Sequence, residues 1–249
     1  MRVLALDTTR RDGSLALVEG NRVVAEHHGD PSRSHAERLP GDILALLDVQ
    51  GMTLADVDLF AVASGPGSFT GLRVGIATIQ GLAFVSGRKV VAVSALEALA
   101  HATAVHHLEG AIVGAWMDAH RAEVFTALYR WAPRLPFGPS SVTEIEGPAV
   151  REPLAALTQW APLIAAERVV FAGDGATLYE PLIRARRPNV QVFDPPILAG
   201  TIGLMAAARA DKAIEPSSIR PLYVRRPDAE VDRERKALAK AGATGPGKP

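Results

Sequence analysis

The first thirty residues alternate short apolar runs with turn residues, as expected for adjacent strands. The apolar run at 3–6 predicts a buried strand over residues 2–6, and Asp7 with two threonines follows it. Residues 14–18 and 22–28 are separated by a Gly-Asn turn and predict a hairpin. A strand that ends in an acidic residue and hydroxyls suits a phosphate or a metal, but a simple polar turn explains these residues equally well.

Two long segments with helical periodicity follow. Between residues 35 and 50 the leucine and isoleucine side chains recur on one face, which predicts an amphipathic helix. The segment 71–86 is apolar almost all round, and a helix of this kind must be buried on several sides. One side can meet a sheet, and the rest requires another helix, from this chain or from a partner subunit.

The loop between a predicted strand at 58–63 and the second helix is rich in glycine. Gly65 and Gly67 permit backbone angles that a Cβ would forbid, and Ser68 or Thr70 can cap the helix. A helix start of this kind can bind an anion, although a tight strand-to-helix turn is an equally good interpretation. The glycine spacing fits neither a P-loop nor the dinucleotide fingerprint.

The second half repeats this plan without repeating its residues. Strands are predicted at 111–117 and 123–129 around a turn that contains Asp118, in the place that Asp7 has in the first half. A later strand enters the glycine turn 173–175, and residues 132–153, with five prolines, are expected to be an irregular surface excursion.

This plan predicts two domains and a tail. We expect domains at 1–106 and 107–226, and a disordered tail at 227–249, where no core pattern remains. Histidines 101, 106 and 107 near the boundary have no cysteines or acidic cluster beside them, so a solvated linker is a better interpretation than a metal site.

Composition narrows the function classes. The chain has 27 basic and 27 acidic residues, so it lacks the basic excess with which a protein binds nucleic acid unaided. The absence of cysteine excludes disulfides, thiolate catalysis and Cys-ligated zinc. No leader and no apolar run of about 18–20 residues is apparent, so a cytoplasmic location without a membrane is expected.

Several motifs together resemble the bacterial TsaB (YeaZ) family, the smaller paralogue of the tRNA threonylcarbamoyladenosine synthase subunit TsaD. The resemblance covers residues 1–226, and its most specific block is Gly65-Pro66-Gly67-Ser68-Phe69-Thr70-Gly71. The other motifs that carry it are Leu4–Thr9, Ser34–Leu39, Met117-Asp118-Ala119, Glu123–Phe125, Gly173-Asp174-Gly175 and Leu222–Arg225.

The resemblance implies an α/β protein with the actin, heat-shock-protein and sugar-kinase-like fold, in which two ribonuclease-H-like domains flank a cleft. In nucleotide-binding members of that fold, two acidic turns contact the phosphates and a glycine turn meets the adenosine. The matching residues here are Asp7, Thr8 and Thr9, then Asp118 to Ala122, then Gly173 and Asp174.

The chain departs from the pattern of its nucleotide-binding and catalytic relatives at the residues that would contact phosphate or metal. Thr8 and Ala122 stand where nucleotide-binding relatives have glycine, and side chains there obstruct the close backbone approach that phosphate requires. TsaD binds its metal through two histidines four residues apart, and the matching positions here are Ala95 and Leu99. The resemblance therefore implies no catalytic residue, no metal and no cofactor beyond weak residual nucleotide binding.

The function implied is that of a non-catalytic subunit that docks on TsaD and supports threonylcarbamoyl transfer to tRNA. The ATPase TsaE is expected to bind the assembled pair transiently, and contact with tRNA is expected only within the complex. The chain can form a homodimer when TsaD is absent. The interface is expected on the two helices at 35–50 and 71–86. Its predicted residues are His35, Leu39, Ile43, Leu46, Leu47, Arg73, Val74, Ile76, Ala77 and Gln80.

Three alternatives stay open from the sequence. An ATP-dependent kinase-like transferase would use Asp7 or Asp118 as base or metal ligand. A metallopeptidase would need a ligand cluster, against which Ala95 and Leu99 argue. A stand-alone tRNA binder would rely on the basic C-terminal residues, which are Arg220, Arg225, Arg226, Arg233, Arg235 and Lys236.

Overall fold

A computed structural model of the chain describes residues 1–104, 110–132 and 142–225. It contains two five-stranded sheets. The first consists of β1 (Arg2–Asp7), β2 (Ser14–Glu19), β3 (Arg22–His28), β4 (Leu59–Gly65) and β5 (Val90–Ser94). The second consists of β6 (Ile112–Asp118), β7 (Val124–Trp131), β8 (Val142–Arg151), β9 (Val169–Ala172) and β10 (Gln191–Phe193). The α-helices are α1 (His35–Val49), α2 (Phe69–Val85), α3 (Ala95–Ala104), α4 (Pro153–Ile164), α5 (Asp174–Leu178), α6 (Glu180–Arg186) and α7 (Ala199–Ala208).

The two sheets have the same topology. The first is ordered β3-β2-β1-β4-β5 and the second β8-β7-β6-β9-β10, so each has an antiparallel meander followed by two parallel strands. The parallel strands require crossover connections, which helices provide. This repeated order is the duplicated α/β arrangement of the actin and sugar-kinase-like fold.

Helices α3 and α7 are exchanged between the halves. Helix α3 follows β5 of the first sheet but packs on β6 and β7 of the second, whereas α7 follows β10 and packs on β1 and β2. Arg209, just after α7, forms a bidentate ion pair with Glu97 on α3, with N–O distances of 3.0 and 2.5 Å. One apolar core therefore runs from the inner face of one sheet to that of the other.

The outer face of each sheet has its own helical layer. Helices α1 and α2 cover the first sheet with a core that includes Leu39, Ile43 and Ile79. Helices α4 to α6 cover the second sheet, where Trp116, Trp160 and Phe171 pack together with ring centroids 5.4–6.1 Å apart. The acidic turns lie at the carboxyl ends of β1 and β6, next to the junction of the halves.

Two sequence interpretations need correction. Residues 142–151 of the expected irregular excursion form β8, an edge strand in which Gly147 and Pro148 are tolerated because, within the described sheet, the strand pairs on one side only. His101 does not lie in a solvated linker, since it is fully buried in α3, and burial lowers its pKa to about 4. Residues 106 and 107, where the boundary was placed, and the tail at 227–249 lie outside the described residues.

Candidate functional site

The acidic turn of the first half begins at Asp7, whose side chain is almost fully buried. Its Oδ1 accepts hydrogen bonds from the Thr9 backbone N–H at 2.9 Å and from the Thr9 hydroxyl at 2.7 Å. Burial raises the pKa of Asp7 above its ordinary value of 3.8, although these two bonds and the nearby Arg10 oppose the effect. The carboxyl group is therefore engaged inside the protein by its own turn.

Thr8 packs directly under helix α2. A Cβ on Gly75 would lie 2.1 Å from the Thr8 hydroxyl oxygen, and a Cβ on Gly71 would lie 2.1 Å from the Thr8 carbonyl oxygen. The Thr8 side chain is fully buried, and its hydroxyl has no hydrogen-bond partner among the described residues. The glycines of α2 thus allow the helix to lie directly on this turn.

The glycine loop before α2 is used in the same way. The Ser68 N–H donates to the Thr9 carbonyl at 2.8 Å, and a Cβ on Gly67 would lie 2.6 Å from the Thr9 Cβ. Ser68 is the N-cap, because its hydroxyl accepts from the Gly71 N–H at 3.2 Å. In this structure the loop therefore serves as a close-packing turn against residues 8 and 9.

The acidic turn of the second half is built from strained backbone. His120, Arg121 and Ala122 all have left-handed φ angles between 56° and 60°, which cost energy in residues other than glycine. Asp118 anchors the turn: its Oδ1 accepts from the His120 N–H at 2.8 Å and its Oδ2 lies 3.0 Å from the imidazole. All three left-handed residues are exposed, in contrast to the buried residues of the first turn.

Asp174 joins the second turn from the start of α5. Its Oδ1 accepts hydrogen bonds from the Asp118 N–H at 3.1 Å and from the Gly175 N–H at 2.9 Å. Burial raises the pKa of Asp174, and the charge of Arg10 from the other half opposes that rise. Gly173 has a φ of 110°, and a Cβ there would lie 2.1 Å from the Trp116 carbonyl oxygen, so only glycine fits.

Arg10 projects from the first turn toward the second half, and sequence reasoning did not select it. Its Nη2 lies 3.3 Å from the Asp12 carboxylate and 3.5 Å from the Pro196 carbonyl oxygen, in the segment that leaves β10. Its side chain is only 14% exposed. A single arginine in a polar turn gives no periodic signal, so only the tertiary structure reveals this position.

A buried polar cluster connects α1 to the first turn. The Nη1 of Arg38 lies 2.8 Å from the Asp42 carboxylate, while its Nη2 donates to the Asp12 carbonyl and lies 2.9 Å from the His35 Nδ1. The His35 Nε2 lies 3.0 Å from the Arg10 carbonyl oxygen, and burial together with the Arg38 charge lowers the pKa of His35. His35 thus has partners within this chain, and a positional role in the turn.

The two positions that the sequence resemblance matched to metal-binding histidines lie in the apolar core. Ala95 is fully buried and Leu99 is 2% exposed, and both contribute to the central core between the sheets. Across the part of the chain that the structure describes, no three histidine, aspartate or glutamate side chains gather as a metal site would require. Ala95 and Leu99 carry no side-chain donor atom, so these two positions do not fit a metal.

The predicted interface residues divide into buried and accessible groups. Five of them pack in the outer core of the first half, namely Leu39, Ile43, Leu46, Leu47 and Ile76. Gln80 donates to the Pro216 carbonyl at 2.9 Å and, like Val74, is half-buried. Arg73 and Ala77 are exposed on α2. The interface remains a prediction, but these buried side chains are already used by the chain itself.

The exposed face of α2 continues beyond the predicted residues. Arg73, Ala77, Gly81, Phe84 and Val85 recur at helical spacing and are all exposed, with Phe84 80% and Val85 87% accessible. We call these five residues the α2 face. The apolar excess of this helix pointed to such a surface, but which residues meet the sheet depends on the tertiary fold.

Comparison with known proteins identifies the relatives. A profile of the family TsaD: tRNA N6-adenosine threonylcarbamoyltransferase matches residues 29–150. The structure of YeaZ from Pseudomonas aeruginosa superposes with a TM-score of 0.71 at 30% identity, covering 89% of this chain and 99% of that one. The chain belongs to the TsaB/YeaZ family. This finding confirms the family assignment that the motifs in residues 4–9, 65–71 and 117–125 predicted.

Sequence relatives agree with the TsaB/YeaZ assignment. An uncharacterized Mycobacterium tuberculosis protein is 34% identical over 235 residues, which cover 92% of this chain and 93% of that protein. The Bacillus subtilis tRNA threonylcarbamoyladenosine biosynthesis protein TsaB is 34% identical over 131 residues, about half of each chain (53% and 56%). Within the described residues, no helix combines the length and apolar character required to cross a membrane.

Proposed function

We propose that this TsaB/YeaZ-family chain acts in tRNA threonylcarbamoyladenosine biosynthesis as a non-catalytic subunit that docks on TsaD. The observation that carries the proposal is the α2 face, an exposed strip that ends in two large and strongly exposed apolar side chains, Phe84 and Val85. Contiguous exposed apolar surface marks interaction sites. The TsaD profile match and the named TsaB relatives support the choice of partner.

The division of labour follows from the chemistry of the two proteins. The segment that matches the metal-binding histidines of TsaD carries Ala95 and Leu99, which cannot bind a metal. We therefore assign the metal and the threonylcarbamoyl transfer to TsaD, with no cofactor in this chain. Contact with tRNA and with TsaE then occurs in the assembled complex, and the α2 face pairs two copies of this chain when TsaD is absent.

The geometry of the α2 face suits helix-to-helix docking. Ala77 and Gly81 are small, and a Cβ on Gly81 would meet nothing within 4 Å. Small residues let a partner helix approach closely, while Phe84 and Val85 at the end of α2 can fill a pocket on the partner. Arg73 at the other end supplies a charged rim, with its guanidinium carbon 3.8 Å from the Phe69 ring centroid.

Titration calorimetry of the purified chain with TsaD from the same organism tests the proposal. Phe84→Asp should weaken binding at least tenfold, because it places a charge in the apolar part of the interface. Leu178→Asp is the matched control, since Leu178 is 57% exposed on α5 of the other half. No heat of binding for the unmodified chain, or equal loss in both variants, would contradict the proposal.

A further inference from the structure

We propose that two arginines, Arg10 and Arg225, add a polar clamp to the shared apolar core and restrict the two halves to one arrangement next to the acidic turns. Each arginine starts from an element fixed on the first half. Arg10 reaches the segment that leaves β10 of the second half, and Arg225 contacts the turn that follows β6. The two ties start at opposite ends of the chain, and together they span the junction next to both acidic turns.

The Arg10 tie is anchored firmly on the first half. The carbonyl of Arg10 lies 3.0 Å from the His35 Nε2, and the carbonyl of Asp12 accepts from the buried Arg38 guanidinium. From this turn the Arg10 side chain reaches the Pro196 carbonyl oxygen at 3.5 Å. Its positive charge also acts on partly buried Asp174 of the second half, whose negative charge it stabilises.

The second tie is the segment Leu222–Arg225, whose first part lies on the first half. The Leu222 N–H donates to the Ser64 carbonyl at 2.7 Å at the end of β4. The Tyr223 ring lies 5.3 Å from the Phe69 ring, and its hydroxyl accepts from the Arg73 Nε at 3.1 Å. These contacts fix the segment against the glycine loop and the start of α2.

Arg225 then reaches the strained turn of the second half. Its Nη1 donates to the Ala119 carbonyl at 2.8 Å, and its Nη2 pairs with the Glu123 carboxylate. The Arg225 guanidinium therefore contacts the turn both before and after its three left-handed residues. The Arg225 and Glu123 side chains are 23% and 33% exposed, and a partly buried, charge-assisted pair is stronger than a pair in open solvent.

The chain offers a matched control for each tie. Arg11 follows Arg10 in the same turn, but its Nε donates to the Pro31 carbonyl at 2.7 Å within the first half. Arg220 precedes the Leu222–Arg225 segment, but among the described residues its guanidinium donates to the nearby carbonyls of Ser217 and Ile219, both in the same segment. Both controls remove an arginine without removing a contact between the halves.

Distance measurement by electron spin resonance tests the clamp directly. The chain contains no cysteine, so spin labels at Asp48→Cys on α1 and Ala165→Cys after α4 report one distance between the halves. We expect one narrow distance distribution in the parent and in Arg11→Ala/Arg220→Ala. In Arg10→Ala/Arg225→Ala the width should at least double, because both ties are lost.

A charge-swapped variant separates the clamp from general loss of stability. Glu123→Arg combined with Arg225→Glu restores the ion pair, so it should return a large part of the narrow distribution in a chain that also carries Arg10→Ala. An unchanged distribution in Arg10→Ala/Arg225→Ala would overturn the proposal. Broadening that equally affects a label pair placed within the first half would also overturn it, since that result indicates unfolding. Neither result depends on binding to TsaD.

Discussion

The two acidic turns hold equivalent places at the ends of β1 and β6, yet the chain closes them by different physical means. The first turn is buried, because the glycines of α2 let a helix lie on Thr8. The second is exposed and keeps its shape through three left-handed residues that Asp118 and Arg225 hold from either side. The comparison shows that a duplicated topology does not require duplicated chemistry: packing holds one turn, and hydrogen bonds hold the other in spite of its strained backbone.

The largest effect is expected where α2 meets Thr8. Gly75→Ala should destabilise the protein by about 3 kcal/mol, because its Cβ would lie 2.1 Å from the Thr8 hydroxyl oxygen. Adding Thr8→Gly should recover much of that loss. Gly71→Ala should resist this rescue, because its clash is with the Thr8 backbone oxygen. Urea unfolding measures all three.

Gly81→Ala provides the control on the same helix. No atom lies within 4 Å of its expected Cβ, so the variant should gain up to about 1 kcal/mol from helix propensity. Equal effects of Ala at Gly75 and at Gly81 would contradict the close packing on Thr8.

A smaller effect is expected from the buried carboxyl group of the first turn. Because burial raises the pKa of Asp7 above 3.8, the folded state binds its proton more tightly than the unfolded state. Stability from this group therefore falls as pH rises from about 4 through the raised pKa. Asp7→Asn keeps the oxygen that Thr9 uses and should raise the melting temperature by a few degrees at pH 7.

Comparison across pH and across turns checks this assignment. The advantage of Asp7→Asn should disappear near pH 3, where the parent carboxyl group is protonated. Asp118→Asn is the matched variant in the exposed turn and should show no such gain, because that side chain pairs with His120 at the surface. Thermal melts followed by circular dichroism at both pH values give the result.

The smallest effect is expected in the second turn. Ala122→Gly should stabilise the protein by roughly 1 kcal/mol, since glycine adopts a φ of 60° without the cost that a Cβ imposes. Ala127→Gly is the control, because Ala127 is a buried residue of strand β7. This variant should destabilise the protein, since glycine weakens the interior of a strand. Urea unfolding of both variants decides whether the turn is strained.

Much of the fold could be predicted from the sequence, because most strands and helices carry clear periodic patterns. The strand at 22–28 and the helix that begins at His35 were predicted to within a residue or two. Strand β8 was missed because Gly147, Pro148 and two glutamates interrupt its apolar pattern, and an edge strand has only one side to satisfy.

The candidate site was predicted less completely than the fold. The residues of both acidic turns were selected, because they follow apolar strands, and Asp118 and Asp174 do come together. Arg10, the burial of Arg38 and the outward direction of Phe84 depend on how distant elements meet. Single residues in turns, and the choice of face on a uniformly apolar helix, leave no local signal.

The exchange of α3 and α7 constrains how such a protein can be divided. The inner surface of each sheet is covered by a helix that is connected in sequence to the other sheet. A division of the chain between the sheets would therefore separate both helices from the β-strands that they cover. If the two halves were synthesised as separate fragments, each would expose a broad apolar surface until the fragments associated. Evolution and protein engineering must therefore alter this molecule as one interlocked piece.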